Sequence, residues 1–334
     1  MKSLREIEKQ SFLSLEDLVK LEEFILETGY MSREKVLEEI ERFTVKLGID
    51  EYYFRSTSVD DIAKHLISIS ASELVSKFSG AGVGVELINE EADRALYIIE
   101  TAKIGEIEDR IEKKYPTFRV ESYRTQNPTN DQDLRLYIVS RPLFQEGLAQ
   151  KTQLTFEEAA NQVFLEARAA ETLSRYREAW EWMCNREAPY IAINEKPESS
   201  ETRVMVGIHG QGTRQFMSNF TNQMRRFELI SNRKYKEIFF DQKSIYTFYF
   251  DAMDKEIIED FSRGLNTTVM LPQDAITALF TEGRLAAQPT MYAISAAAFT
   301  NQFITVLTEE YTSLSRALKD QPEAKGILDK MKLR

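Results

Sequence analysis

Residues 203–220 read RVMVGIHGQGTRQFMSNF, an apolar run followed by closely spaced glycines and then a segment of helical character. Gly207, Gly210 and Gly212 punctuate the turn, with His209, Gln211 and Thr213 between and after them. A glycine-rich turn that feeds a helix presents free N–H groups and the positive end of the helix dipole, which together suit an anion. A dinucleotide is excluded, because its fingerprint needs G-x-G-x-x-G at a strand-to-helix turn and these glycines arrive as G-x-x-G-x-G. A phosphate loop is excluded too, since no Gly-Lys-Ser/Thr follows. The chemistry left open is the binding of a small anion such as a carboxylate, with Gly207, His209, Gly210, Gln211, Gly212 and Thr213 as the contacts. The competing reading is purely conformational: glycines serving positive-φ turns, Thr213 as an ordinary N-cap and His209 as a turn residue.

Other reactive side chains are sparse. The two histidines, His65 and His209, and the single cysteine, Cys184, lie far apart in sequence, so no His/Cys metal cluster is expected. No G-x-S-x-G nucleophile elbow occurs, and no catalytic residue is assigned. Carboxylates group in NEEAD (89–93) and DQD (131–133), but the spacing matches no calcium loop and acidic turns are ordinarily solvated. Arg225, Arg226, Arg233, Lys234 and Lys236 form the densest basic patch, which reads either as a face for an anionic metabolite or partner subunit or as a solvated corner. His65, on a helix over 59–77, is expected to be exposed or half-buried. Trp180 and Trp182 lie two apart on a helix and point in different directions.

The elements that position these residues follow from periodicity. Leu15, Leu18, Leu21, Ile25 and Leu26 make one helical stripe and Val36, Ile40, Phe43 and Leu47 another, so residues 1–78 form a helical N-terminal segment. The period then changes, with Val83, Val85 and Leu87 alternating. From there to 145 the order is strand, strand, helix, strand, strand, the helix carrying Ile104, Ile107 and Ile111 at helical spacing. A single long helix over 156–185, opened by Thr155, connects this module to the next across 150–188. Residues 189–271 give a short strand, a polar Pro- and Ser-bearing stretch that reads as a linker, then β-α-β-β-α. Leu229–Phe240 and Ile245–Ala252 are separated by only a tight break, which demands an antiparallel hairpin rather than a crossover. Residues 272–334 close the chain with helices. The fold class expected is α+β, two βαββ modules within a helical frame, the modules sharing an order of elements without evident residue identity.

With 43 basic and 54 acidic residues, the chain carries a formal charge of −11. No basic face emerges, which argues against nucleic acid and against an anionic membrane. The start has no uninterrupted apolar stretch for a secretory signal. The greasy run at 291–307 is interrupted by Asn301 and Gln302, so it reads as a buried helix. A lone cysteine fits a reducing compartment, and the expected location is cytoplasmic.

A β-α-β-β-α module with a ligandable turn after its first strand resembles ACT-type domains, over 203–265 and more loosely over 83–141. That resemblance implies a ferredoxin-like fold that binds an amino acid and controls an attached enzyme. YYFRSTSVDDIAKHLISISASEL (52–74) is similar to an early segment of the large NAD-dependent glutamate dehydrogenases, and EGRLAAQPTMYAISAAAFTNQFITVLTEEYTSL (282–314) to the helical stretch ahead of their catalytic part. The resemblance implies a catalytic portion further on, with a glycine-framed substrate lysine and a Rossmann domain. Neither motif occurs in these 334 residues. The implied role is a regulatory or assembly region, with NAD binding only in that absent part. Its partners would be an amino acid or other small carboxylate, plus further copies of the chain or a catalytic region in the same chain. The alternative is a stand-alone amino-acid-binding or scaffold protein of the same modules.

Overall fold

The computed structural model describes residues 2–79, 87–100, 103–126, 134–186, 189–196, 201–209, 216–226, 228–254, 256–258 and 261. Five α-helices come first among the described residues: α1 (Leu4–Glu8), α2 (Leu15–Glu27), α3 (Arg33–Glu41), which runs on into a π-helical turn over Arg42–Lys46, α4 (Glu51–Ser56) and α5 (Val59–Ser79). Short polar caps start them. Ser14 Oγ accepts from Asp17 N at 3.1 Å, Asp50 from Tyr52 N at 2.9 Å and Ser58 from Asp61 N at 3.2 Å.

Two similar halves follow. The first runs β1 (Leu87–Glu90), β2 (Arg94–Glu100), α6 (Ile104–Lys114), β3 (Arg119–Arg124) and β4 (Leu134–Ser140). The second runs β5 (Tyr190–Lys196), β6 (Glu201–Ile208), α10 (Phe216–Arg226), β7 (Arg233–Ile238) and β8 (Ser244–Asp251). Between them lie α7 (Phe156–Ala159), α8 (Gln162–Ala167) and α9 (Ala170–Cys184). The eight strands form one antiparallel sheet in the order β1-β2-β4-β3-β7-β8-β6-β5, so the halves meet edge to edge at β3 and β7. The hairpin expected between Leu229–Phe240 and Ile245–Ala252 is present as β7–β8, antiparallel from Arg233↔Tyr249 to Ile238↔Ser244.

Two expectations are corrected. The single helix expected over 156–185 is three. Asn161 interrupts it, its side chain accepting from Val163 N at 3.2 Å and from Leu143 N at 3.0 Å, which caps α8 and ties the break to an upstream loop. The polar stretch read as a linker joins paired strands: Lys196 lies opposite Glu201 in the β5–β6 register. Val83 and Val85, the acidic DQD group and everything after residue 261 lie outside the described residues.

Helices cover both sheet faces. On one, α6 and α10 pack side by side, with Ile104, Ile107, Ile111, Phe216, Phe220 and Met224 against Tyr97, Val206, Tyr246 and Phe248. On the other, the N-terminal helices cover Leu96, Ile98, Tyr123 and Leu136, while α7–α9 cover Met205, Phe239 and Ile245. This explains why β8 is bulky on alternate residues of both faces: Tyr246, Phe248 and Phe250 point to α10, and Ile245 and Tyr249 to the opposite layer. The helices that do so belong to this same chain.

Candidate functional site

Of the six residues singled out in the glycine turn, Gly207 and His209 are described, and Gly210, Gln211, Gly212 and Thr213 lie outside the described residues. Gly207 is a mid-strand residue, opposite Tyr190 and Ile245. It does not take a positive φ. What it supplies is room, because a Cβ there would stand 2.7 Å from Met183 Sδ and 3.1 Å from Tyr190 Cβ. His209, just past β6, is half-buried, and its Nε2 is shielded from solvent without a hydrogen-bond partner among the described residues. The start of α10 already carries a carboxylate. Glu112, from the end of α6, accepts from Met217 N at 2.7 Å and from Ser218 N at 3.2 Å. It is a charge placed where backbone N–H groups and the helix dipole favour it.

Glu112 introduces a buried charged layer on the α6/α10 face. Three of the five residues of the basic patch do not form a solvated corner, and the side chain of Arg226 lies outside what is described. Arg233, Lys234 and Lys236 are all buried in β7, while Arg225 of α10 is exposed. The physical reason is that buried carboxylates meet them. Lys234 Nζ bonds Glu108 of α6 at 2.5 Å, and the same carboxylate oxygen accepts from Tyr137 Oη at 2.8 Å. Burial pushes the Lys234 ammonium down to about 8, with Glu108 opposing and Arg135 and Arg225 adding to the fall. Lys236 donates to the Pro116 carbonyl at 2.8 Å. Burial lowers Lys236 and raises Glu112 toward one another. On the opposite face Arg233 pairs with Asp50 at 2.8 Å and Glu201 at 2.7 Å, sandwiched at 4.1 Å between Tyr52 and Tyr249.

Beside Lys234 the two halves leave a cavity of about 250 Å³. Ile104, Arg135, Thr221, Arg225, Ser231 and Lys234 are among the residues lining it. Arg135, fully buried on β4, donates through Nη1 to Ser122 Oγ at 3.1 Å and through Nη2 to the Ser231 carbonyl. Ser231 Oγ is buried with no hydrogen-bond partner among the described residues.

Other residues weighed from sequence have structural roles. His65 is buried rather than exposed or half-buried, because α5 packs it against Tyr53, whose hydroxyl lies 2.8 Å from Nδ1. Burial holds its imidazole down at about 4. In NEEAD, Glu90 is bonded by Arg110 at 2.9 Å, by Lys114 and by Tyr97 at 2.6 Å. Led by Arg110, these hold its carboxyl down at about 2. Trp180 packs on Phe156 and donates to Asp241 at 3.0 Å, while Trp182 lies against Tyr190. Among the described residues no group of three or more His, Cys, Asp and Glu is placed to hold a metal ion. No described helix is long and apolar enough to cross a membrane.

Sequence reasoning missed Glu108, Glu112, Arg135 and Ser231. A signal existed for three of them. Glu108 and Glu112 continue the spacing of Ile104, Ile107 and Ile111, and Arg135 alternates in phase with Tyr137 and Val139, so each polar residue stands on an apolar face.

A family model described as NAD-specific glutamate dehydrogenase, second domain, matches residues 85–278, more than half of the chain. The chain belongs to this glutamate dehydrogenase family. A second model, described as NAD-dependent glutamate dehydrogenase, N-terminal domain, matches residues 15–75. The chain is 27% identical over 350 residues to the NAD-specific glutamate dehydrogenase of Neurospora crassa, covering 96% of this chain and 33% of that protein. It is 24% identical over 319 residues to a probable NAD-specific glutamate dehydrogenase of Schizosaccharomyces pombe, covering 85% and 29%. It is 23% identical over 388 residues to glutamate dehydrogenase 2 of Dictyostelium discoideum, covering 98% and 36%. The chain thus spans about a third of the length of these relatives. The resemblance drawn from 52–74 falls within the N-terminal match, while 282–314 lies beyond both matched ranges.

Proposed function

We propose that this chain is the non-catalytic regulatory and assembly portion of a cytoplasmic NAD-specific glutamate dehydrogenase. Its two halves act as ACT-like, ferredoxin-like modules that read a small carboxylate such as an amino acid. Catalysis and NAD binding belong to a region outside these residues, and ligand state reaches it through contacts of this chain with that region or with further copies. The observation that carries the reading is the repeated β-α-β-β order in one continuous sheet. In each half the first and second strands of that unit flank the third, as β2-β4-β3 and as β6-β8-β7, with one helix crossing over. Joining the halves at β3–β7 brings α6 and α10 together, and a cleft between paired modules is a natural place for a small ligand to shift a population.

The test is thermal unfolding of the 334-residue chain against each of the twenty amino acids, with NADH formation from NAD and L-glutamate followed alongside. The expected result is that at least one amino acid raises Tm through selective binding to the folded state, while no NADH forms. A Tm that no amino acid moves would overturn the sensing role, and turnover by this chain would overturn the non-catalytic one.

A further inference from the structure

The two halves share an arrangement but fill it differently. Aligning the apolar stripe Ile104, Ile107, Ile111 of α6 with Met217, Phe220, Met224 of α10 keeps one offset throughout. It makes Thr221 the counterpart of Glu108 and Arg225 the counterpart of Glu112. At the start of α10, Glu112 supplies a carboxylate to Met217 N and Ser218 N. At the start of α6, the corresponding place is the cavity. Ile104 lines it, the Lys103 position gives the helix no side-chain cap, and Arg225 stands where its counterpart is an acid.

We infer that the cavity between the start of α6 and the end of α10 is a binding site for the carboxylate of a small acid or amino acid, held by Arg225, Arg135, Lys234, Thr221 and Ser231. One half of the molecule carries its helix-capping carboxylate in its own chain, and the other takes it from solution. Charge agrees with this. Arg135, Arg225 and Lys234 line it, Lys234 held by Glu108 and Arg135 by Ser122 Oγ and the Ser231 carbonyl. A helix start adds further positive potential. The buried, unpartnered Ser231 Oγ is a polar group for which the described chain supplies no partner, and such groups carry a cost that a bound ligand removes. Thr221 Oγ1, already accepting from Lys234, lies on the same wall. Size selects the class, because about 250 Å³ falls below the usual range for drug-sized ligands and suits a molecule of amino-acid dimensions.

This assignment rests on the sensing role and places it at one cavity. The experiment titrates the 334-residue chain calorimetrically with L-glutamate, L-aspartate, L-serine, succinate and inorganic phosphate, and repeats it with Arg225→Met, Ser231→Ala and Arg225→Glu. Arg225 is exposed, so its variants test the site with little demand on folding. At least one carboxylate is expected to bind with one site per chain and to out-compete phosphate. Arg225→Met is expected to weaken it about tenfold, the loss of one charge-assisted hydrogen bond. Ser231→Ala is expected to weaken it severalfold. Arg225→Glu is expected to abolish binding, because it restores an internal carboxylate. Carboxylate binding untouched by all three variants would overturn the cavity as the site while leaving the sensing role intact. No binding by any carboxylate would overturn the site. Binding of phosphate in preference to every carboxylate would overturn the ligand class.

Discussion

His65 shows how a single buried side chain makes this fold sensitive to acid. Its ring is buried on α5 against Tyr53, and burial holds it down at about 4, well below the ordinary histidine value. The unfolded chain therefore binds a proton between about pH 6.5 and 4 that the folded chain refuses. The stability His65 allows is present above pH 6.5 and is lost as pH falls through 4, to a total of about 3 kcal/mol. Glu112 works in the opposite sense, since its raised pKa favours the folded state at low pH and the advantage disappears as pH rises. The useful quantity is thus the difference between wild type and His65→Gln in urea unfolding at pH 7 and pH 4.5. The variant is expected to lose less stability over that interval, by about 2 kcal/mol. Equal losses would mean that His65 is protonated in the native state.

Between elements, the packing of α9 on β6 depends on an absent side chain. Gly207 lets Met183 reach the strand, and an alanine there would meet Met183 Sδ at 2.7 Å and Cε at 2.9 Å. The thioether end can give way, but Met183 is itself buried and Tyr190 Cβ, at 3.1 Å, cannot easily retreat. Gly207→Ala is expected to cost about 1–3 kcal/mol by overpacking. Met183→Ala relieves the clash, so the double variant should be more stable than the two single losses added together, as chemical denaturation would show. Additive losses would place the strain elsewhere. This glycine also marks where the sequence was and was not readable. Strand and helix positions followed from apolar spacing, as with Ile104, Ile107 and Ile111 or the β7–β8 hairpin. The fate of single polar residues did not. Arg233, Lys234 and Lys236 read as a solvated corner because the carboxylates that neutralise them lie elsewhere in the chain, at Asp50, Glu108 and Glu201, and are brought near only by sheet pairing and helix packing. The break at Asn161 was hidden for a similar reason, since its second partner, Leu143 N, comes from outside the helical segment.

For the molecule as a whole, the decisive feature is that the halves share buried charge pairs as well as one apolar core. Across the β3–β7 pairing, Arg119 reaches Glu237 at 2.8 Å and also binds Glu121 at 2.8 Å, which in turn holds Arg168 at 2.6 Å from the connecting segment. On the other face Lys234 of the second half pairs with Glu108 of the first, and Glu112 of the first caps α10 of the second. Each half therefore keeps buried charges whose partners lie in the other, and parting them would leave those charges unpaired at about 3–5 kcal/mol for each broken pair. The halves should consequently unfold together. Native-state hydrogen exchange is expected to give amides of β2 and β4 the same opening free energy and denaturant dependence as those of β6 and β8. Glu237→Ala, which leaves Arg119 short of a partner, should lower both sets equally by about 3 kcal/mol. Protection that falls in one half and persists in the other would show two independently folding modules, and a ligand seated between α6 and α10 would then have no shared structure through which to act.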